Sequence, residues 1–193
     1  MGALLRLDEH GALVGAPHPV DLSAILKPLG RTFDELNIEG AVVLGNEVRL
    51  FQRGNKSGSA NAIIRFPILP FLAALTAANE SALEPLAIHT MDLGGTGGIP
   101  FSFTDAAALP NGDMLFTAIA EDTDDAYNDG PCTASAIGIV SGGGDLRRLV
   151  PLEAPHKIEG VDARVEGGVI KLLVTDADDP AIPAVLFSAS MER

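Results

Sequence analysis

Along most of this chain hydrophobic and polar positions alternate with a period of two, in short runs separated by Gly, Pro, Asn and Asp. Alternation of this kind sets one face of an extended strand against a core, and the small residues between runs suit tight turns. The pattern predicts strands at 3–7 and 19–26, then at 39–44, 47–52, 61–66 and 86–91. A further set is predicted at 105–109, 114–120, 135–140 and 146–152, and a last set at 160–165, 169–175 and 184–189. Turns fall at Asp8-Glu9-His10-Gly11, Gly45-Asn46, Pro110-Asn111-Gly112-Asp113, Gly142-Gly143-Gly144 and Glu166-Gly167-Gly168. One short helix is expected over 71–79, where Ala and Leu dominate.

One stretch of this pattern occurs twice. Asn37-Ile38-Glu39-Gly40-Ala41-Val42 and Lys157-Ile158-Glu159-Gly160-Val161-Asp162 each open a strand pair. Each then leads to an alternating strand, Val48-Arg49-Leu50-Phe51-Gln52 or Val169-Ile170-Lys171-Leu172-Leu173. A strand–turn–strand unit repeated at long period is the mark of a radial or solenoidal array. Groups of four strands, each entered by a strand of small residues, point to β-propeller blades, whose innermost strands crowd a central channel. A β-sandwich would not predict the duplicated entry, and an α/β fold would need several amphipathic helices. The expected fold is all-β. It is a single partial-propeller domain over 1–193, with remnants at 1–30, blades at 37–93 and 103–152, and an incomplete blade at 158–190.

The Ile-Glu-Gly entries at 38–40 and 158–160 and the strand Leu115-Phe116-Thr117-Ala118-Ile119-Ala120-Glu121-Asp122 resemble bacterial propellers of the esterase-like phytase kind and related uncharacterised ones. The Glu-Gly entry is also similar to gluconolactonase-type and regucalcin-like propellers, a resemblance that implies a channel metal bound by the Glu. Those propellers have six blades, whereas this chain supplies about three. Open sheet edges are avoided by soluble proteins, so the expectation is a homodimer closing a six-blade ring, or a fragment of a longer chain.

With 193 residues, 47% of them apolar, the chain can bury a core and is not disordered. A net charge of −13 argues against nucleic acid and anionic membranes as partners and fits cations, basic ligands or plain solubility. No apolar run reaches membrane-spanning length, since Arg65, Pro67 and Pro70 interrupt 63–75. The start, Met1-Gly2-Ala3-Leu4-Leu5-Arg6, reads neither as a signal peptide nor as a myristoylation site. A cytoplasmic protein is expected. The single cysteine, Cys132, excludes an internal disulfide and has no basic neighbour to activate it.

Candidate chemistry follows from the repeat. Placing Pro110-Asn111-Gly112 on Leu44-Gly45-Asn46 aligns Asp105 with Glu39, so Glu39, Asp105 and Glu159 form an expected inner ring. Converging carboxylates repel one another unless a cation joins them, and an all-oxygen donor set suits calcium or magnesium, of which calcium accepts the looser geometry of loops. The alternative is that Glu39 and Glu159 cap backbone N–H groups or pair with Lys and Arg. An outer ring is expected from Gln52, Arg53 and Asn55, then Glu121, Asp122 and Asp124, then Asp176 and Asp178. Arg53 could hold an anionic substrate group bidentately, and His156 could serve as a general base at the channel mouth. His89 is expected to be structural.

Other motifs do not complete. The acidic stretch 121–130 lacks the Gly and closing Glu of an EF-hand, Gly94-Gly95-Thr96-Gly97-Gly98 lacks the following Lys and helix of a phosphate loop, and no Gly-x-Ser-x-Gly is present. Two readings stay open. One is a divalent-metal-assisted hydrolase of phosphate or lactone esters, with Glu39, Arg53 and His156 as catalytic residues and Ca2+ on Glu39, Asp105 and Glu159. The other is a non-catalytic propeller that binds a small ligand or a protein.

Overall fold

A computed structural model describes residues 2–55, 59–76, 81–123, 130–166, 169–175 and 181–190. In chain order the elements are β1 (Gly2–Leu7), β2 (Leu13–Val20), α1 (Ser23–Leu29), β3 (Ile38–Leu44), β4 (Glu47–Gln52), β5 (Asn61–Pro67), α2 (Ile68–Thr76) and β6 (Ala87–Met91). They continue as β7 (Gly95–Thr96), β8 (Ile99–Pro100), β9 (Ser102–Ala108), β10 (Met114–Glu121), β11 (Cys132–Val140), β12 (Leu146–Pro151), β13 (Ile158–Glu166), β14 (Val169–Thr175) and β15 (Leu186–Phe187). Among the described residues the fold is all-β with two short helices.

Strands pair with their neighbours in sequence, always antiparallel. The first sheet is β3-β4-β5-β6, the second β9-β10-β11-β12 and the third β13-β14-β15, while β1-β2 and β7-β8 are separate hairpins. The first strands of the three sheets run beside one another. A Cβ on Gly40 would stand 3.0 Å from the backbone nitrogen of Ala106, so β3 approaches β9 closely only because residue 40 has no side chain. On the other side of β9, the N–H of Val161 in β13 donates to Asp105 Oδ2 at 2.8 Å.

Side-chain parity explains why so much of the first two sheets is buried. Val48, Leu50, Ala62, Ile64 and Phe66 of the first sheet pack with Ile25 and Leu29 of α1, whereas Phe51 and Ile63 point the other way. There they meet Phe103, Met114, Phe116, Ala118 and Ala120 of the second sheet. Leu115, Ile137 and Ile139 leave the opposite face of that sheet and pack with Ile158 of the third. Strand β10 therefore has both faces covered and is buried throughout. Phe51, Phe103 and Phe116 form an edge-to-face ladder across the first two sheets, with centroids 5.1 and 5.0 Å apart. A buried arginine also joins these sheets, Arg49 donating through Nη1 to the carbonyl of Gly142 at 2.8 Å.

The structure corrects the sequence reading near the N-terminus. The expected strand at 19–26 is instead the end of β2 followed by α1. Leu22, Ile25, Leu26 and Leu29 recur at helical spacing and share one apolar cluster, while Asp21 Oδ1 accepts the Ser23 N–H at 2.9 Å and bends the chain into the helix. The expected helix at 71–79 begins earlier, at Ile68, and its last residues lie outside the described ones. Among the described residues no helix is long and apolar enough to cross a membrane.

Candidate functional site

Strand pairing decides which residues of the three sheets are equivalent. Ile38 pairs with Gln52 and Gly40 with Phe51, leaving Glu39 as an extra residue in the ladder. Ile158 pairs with Thr175 and Gly160 with Val174, so Glu159 is extra in the same way. In the second sheet Phe103 pairs with Ala118 and Asp105 with Thr117, and the extra residue is Thr104. Asp105 is thus the counterpart of Gly40 and Gly160, one position away from the expected ring. The alignment through the turns slipped because the first hairpin closes through Gly45-Asn46 and the second through the longer 109–113. Thr104 is buried and its hydroxyl bonds Thr117 Oγ1 at 2.9 Å.

Among the described residues Glu39 and Glu159 belong to a chain of ion pairs that crosses the three sheets. Arg53, only 4% exposed, places Nη1 3.5 Å from Glu39 Oε1 and gives Nη2 to Glu121 Oε2. The Glu121 side chain has no exposed surface, and its other oxygen lies 3.9 Å from Lys157 Nζ. Lys157 Nζ lies the same distance from Glu159 Oε1. Arg53 directly follows β4 and Glu121 is the last residue of β10, so each lies at the end of the second strand of its sheet. Gln52, fully buried, holds this end in place: its Oε1 accepts the Asn37 N–H at 2.8 Å and its Nε2 donates to the carbonyls of Glu35 and Arg53.

These contacts alter the expected chemistry. Among the described residues Arg53 is enclosed and its two Nη atoms face the carboxylates of Glu39 and Glu121. Glu39 and Glu159 each pair with a cation, and Asp105 accepts a backbone N–H. Among the described residues no group of three or more His, Cys, Asp or Glu side chains is arranged to hold a metal ion. Calcium takes about six to eight oxygen ligands, and the three acids as placed here do not fit it.

Burial pushes the Asp105 carboxyl up, and the nearby Glu39 charge adds to the rise, while the N–H groups of Val161 and Ala106 oppose it. An acid raised in the folded state favours folding where it is protonated, and that contribution is lost as pH climbs from the ordinary carboxylate range through the raised value. Asp105→Asn keeps an acceptor for Val161 N–H and removes the ionisation. The variant should be more stable than wild type at neutral pH, with the difference vanishing in acid; urea unfolding at several pH values measures it. Glu47 shifts the opposite way, held down by its hydrogen bond from Arg65 against the effect of burial.

Beside the ion pairs lies a cleft of about 530 Å³. Asn55, Ser59, Met91, Asp92, Ile99, Pro100, Glu121, Asp122 and Thr123 are among its lining residues. Its walls are fixed from below by Asn61, whose Oδ1 accepts the N–H groups of Gly54 and Phe103 while Nδ2 donates to the Phe101 carbonyl. The far wall is the glycine-rich hairpin β7-β8, with positive φ at Gly94, Gly97 and Gly98. A Cβ on Gly95 would stand 2.3 Å from the Ile99 carbonyl oxygen, so the glycines serve a tight turn rather than a phosphate. Sequence reasoning weighed these glycines only as a phosphate loop and not as a cleft wall.

The remaining expected site residues lie apart. His156 donates its backbone N–H to Ser135 Oγ at 2.9 Å and stacks on Phe187 with centroids 4.5 Å apart, away from the cleft. Cys132 is half-buried beside the acids, and burial followed by the Glu121 charge pushes its thiol up, which makes it a poor nucleophile. Asp124, Asp176 and Asp178 lie outside the described residues.

Fold and site together define an all-β protein of small up-and-down sheets, with a buried ion-pair chain and an adjoining rim cleft. Residues 1–180 match the family of unknown function DUF6910, and the chain belongs to that family. No curated protein and no solved structure matches it.

Proposed function

We propose that this chain is an arc of three propeller blades that binds a small ligand in the rim cleft, without metal-assisted hydrolysis. Three observations support the blades: consecutive antiparallel strands within each sheet, first strands lying side by side, and an unbranched residue where two of them meet at Gly40. The single observation that carries the functional reading is the ion-pair chain Glu39–Arg53–Glu121–Lys157–Glu159. It commits to internal charge balance the groups that a metal hydrolase would turn toward substrate. What remains open to solvent nearby is a concave site with apolar sides and a few polar groups, the usual form of a small-molecule site.

Melting curves with calcium, magnesium and chelator, for wild type and Glu39→Gln, test this directly. A ligand bound only by the native state raises the melting temperature by mass action. We expect no ion-dependent shift in wild type. A rise with calcium that Glu39→Gln abolishes would restore the metal-dependent hydrolase.

A further inference from the structure

The cleft just described is selective by charge. Among the described residues its lining contains three acids, Asp92, Glu121 and Asp122, and no Lys, Arg or His. Glu121 is neutralised from behind by Arg53 and Lys157, whereas Asp92 and Asp122 are exposed. Asp92 follows β6 of the first sheet and Asp122 follows β10 of the second. A concave site with carboxylates of one sign raises the local concentration of cations and repels phosphates. Met91, Ile99 and Pro100 supply apolar surface in the same lining.

Asn55 gives an independent pointer. It lines the cleft, is 8% exposed, and among the described residues its buried Nδ2 has no hydrogen-bond partner. A buried donor left unspent is costly and rare in native proteins, and an acceptor arriving with a ligand would satisfy it. Two carboxylates ask for ammonium groups, and the amide donor asks for a neutral oxygen.

We infer that the cleft takes a small hydroxylated amine, with its ammonium groups on Asp92 and Asp122 and its hydroxyl oxygen accepting from Asn55. This rests on the reading of the cleft as a ligand site and adds the class of ligand. Asp92 Oδ1 already accepts the Gly94 N–H at 2.8 Å, which leaves its second oxygen for the ligand, and Asp92→Asn preserves the turn.

Four compounds on one three-carbon frame separate the contributions: 1,3-diamino-2-propanol, 1,3-diaminopropane, glycerol and glycerol 3-phosphate. Calorimetric titration, with amide chemical-shift changes to locate binding, should rank them in that order, the phosphate not binding. Asp92→Asn and Asp122→Asn should each weaken the diamino alcohol about tenfold, the size of one hydrogen bond to a charged group. Asn55→Ala should erase the preference for the hydroxylated over the plain diamine. If glycerol binds as well as the amines, or the phosphate binds best, the ligand class is wrong while the cleft stands as a ligand site. If no compound perturbs the cleft at millimolar concentration, the ligand-site reading falls with it. Diamine binding indifferent to both Asp→Asn changes also overturns the assignment.

Discussion

Replacing Arg53 by Met should cost about 3–5 kcal/mol of folding stability, because it strands a buried carboxylate without its cation. Glu121 has no exposed side-chain surface, so water cannot take over the role of the guanidinium. Lys157 remains at 3.9 Å but cannot supply the fork that Arg53 gives to Glu121 and Glu39. The double variant Arg53→Met/Glu121→Gln should recover much of the loss, since a neutral amide is far cheaper to bury than a charge. Urea unfolding of the two single variants and the double closes the cycle. A single Arg53→Met loss under about 1 kcal/mol would place the pair in the class of screened surface bridges and remove the central support for the proposed function.

The aromatic ladder carries the second large effect. Phe103 has no exposed surface and sits edge-on between Phe51 of the first sheet and Phe116 of the second. Phe103→Ala opens a cavity where two sheets meet and should cost about 3–5 kcal/mol. Against the 5–15 kcal/mol typical of a domain, roughly a fifth or more of the stability would go with it. Phe103→Leu keeps most of the volume but forfeits two aromatic contacts, about 1–3 kcal/mol in all. The neighbourhood cannot easily shift to refill the gap: a Cβ on Gly138 would already stand 2.1 Å from the Phe116 ring. Equal stability of the Ala and Leu variants by denaturant titration would show that the sheets repack.

The strands of this protein are written into its sequence because alternation is local. A period of two sets the faces, and Gly45, Gly112 and Gly144, all at positive φ, close hairpins where the sequence placed turns. Helix α1 was legible too, in the spacing of Leu22, Ile25, Leu26 and Leu29, but the extended run through Pro19 and Val20 masked it. The site was legible only in its ingredients. Glu39 and Glu159 were recognisable as equivalent from the repeated Ile-Glu-Gly, and their pairing shows each as the extra residue of its ladder. Which residue of the second sheet matches them depends on where that ladder bulges, and a bulge belongs to the pairing of two strands, not to either strand alone. In the same way nothing near Arg53 in the chain announces Glu121, and nothing in the glycines of 94–98 announces a cleft wall. Local periodicity determined the strands; charge pairing and concavity were decided only when the ends of separate sheets came together in space, since such contacts join residues far apart in sequence.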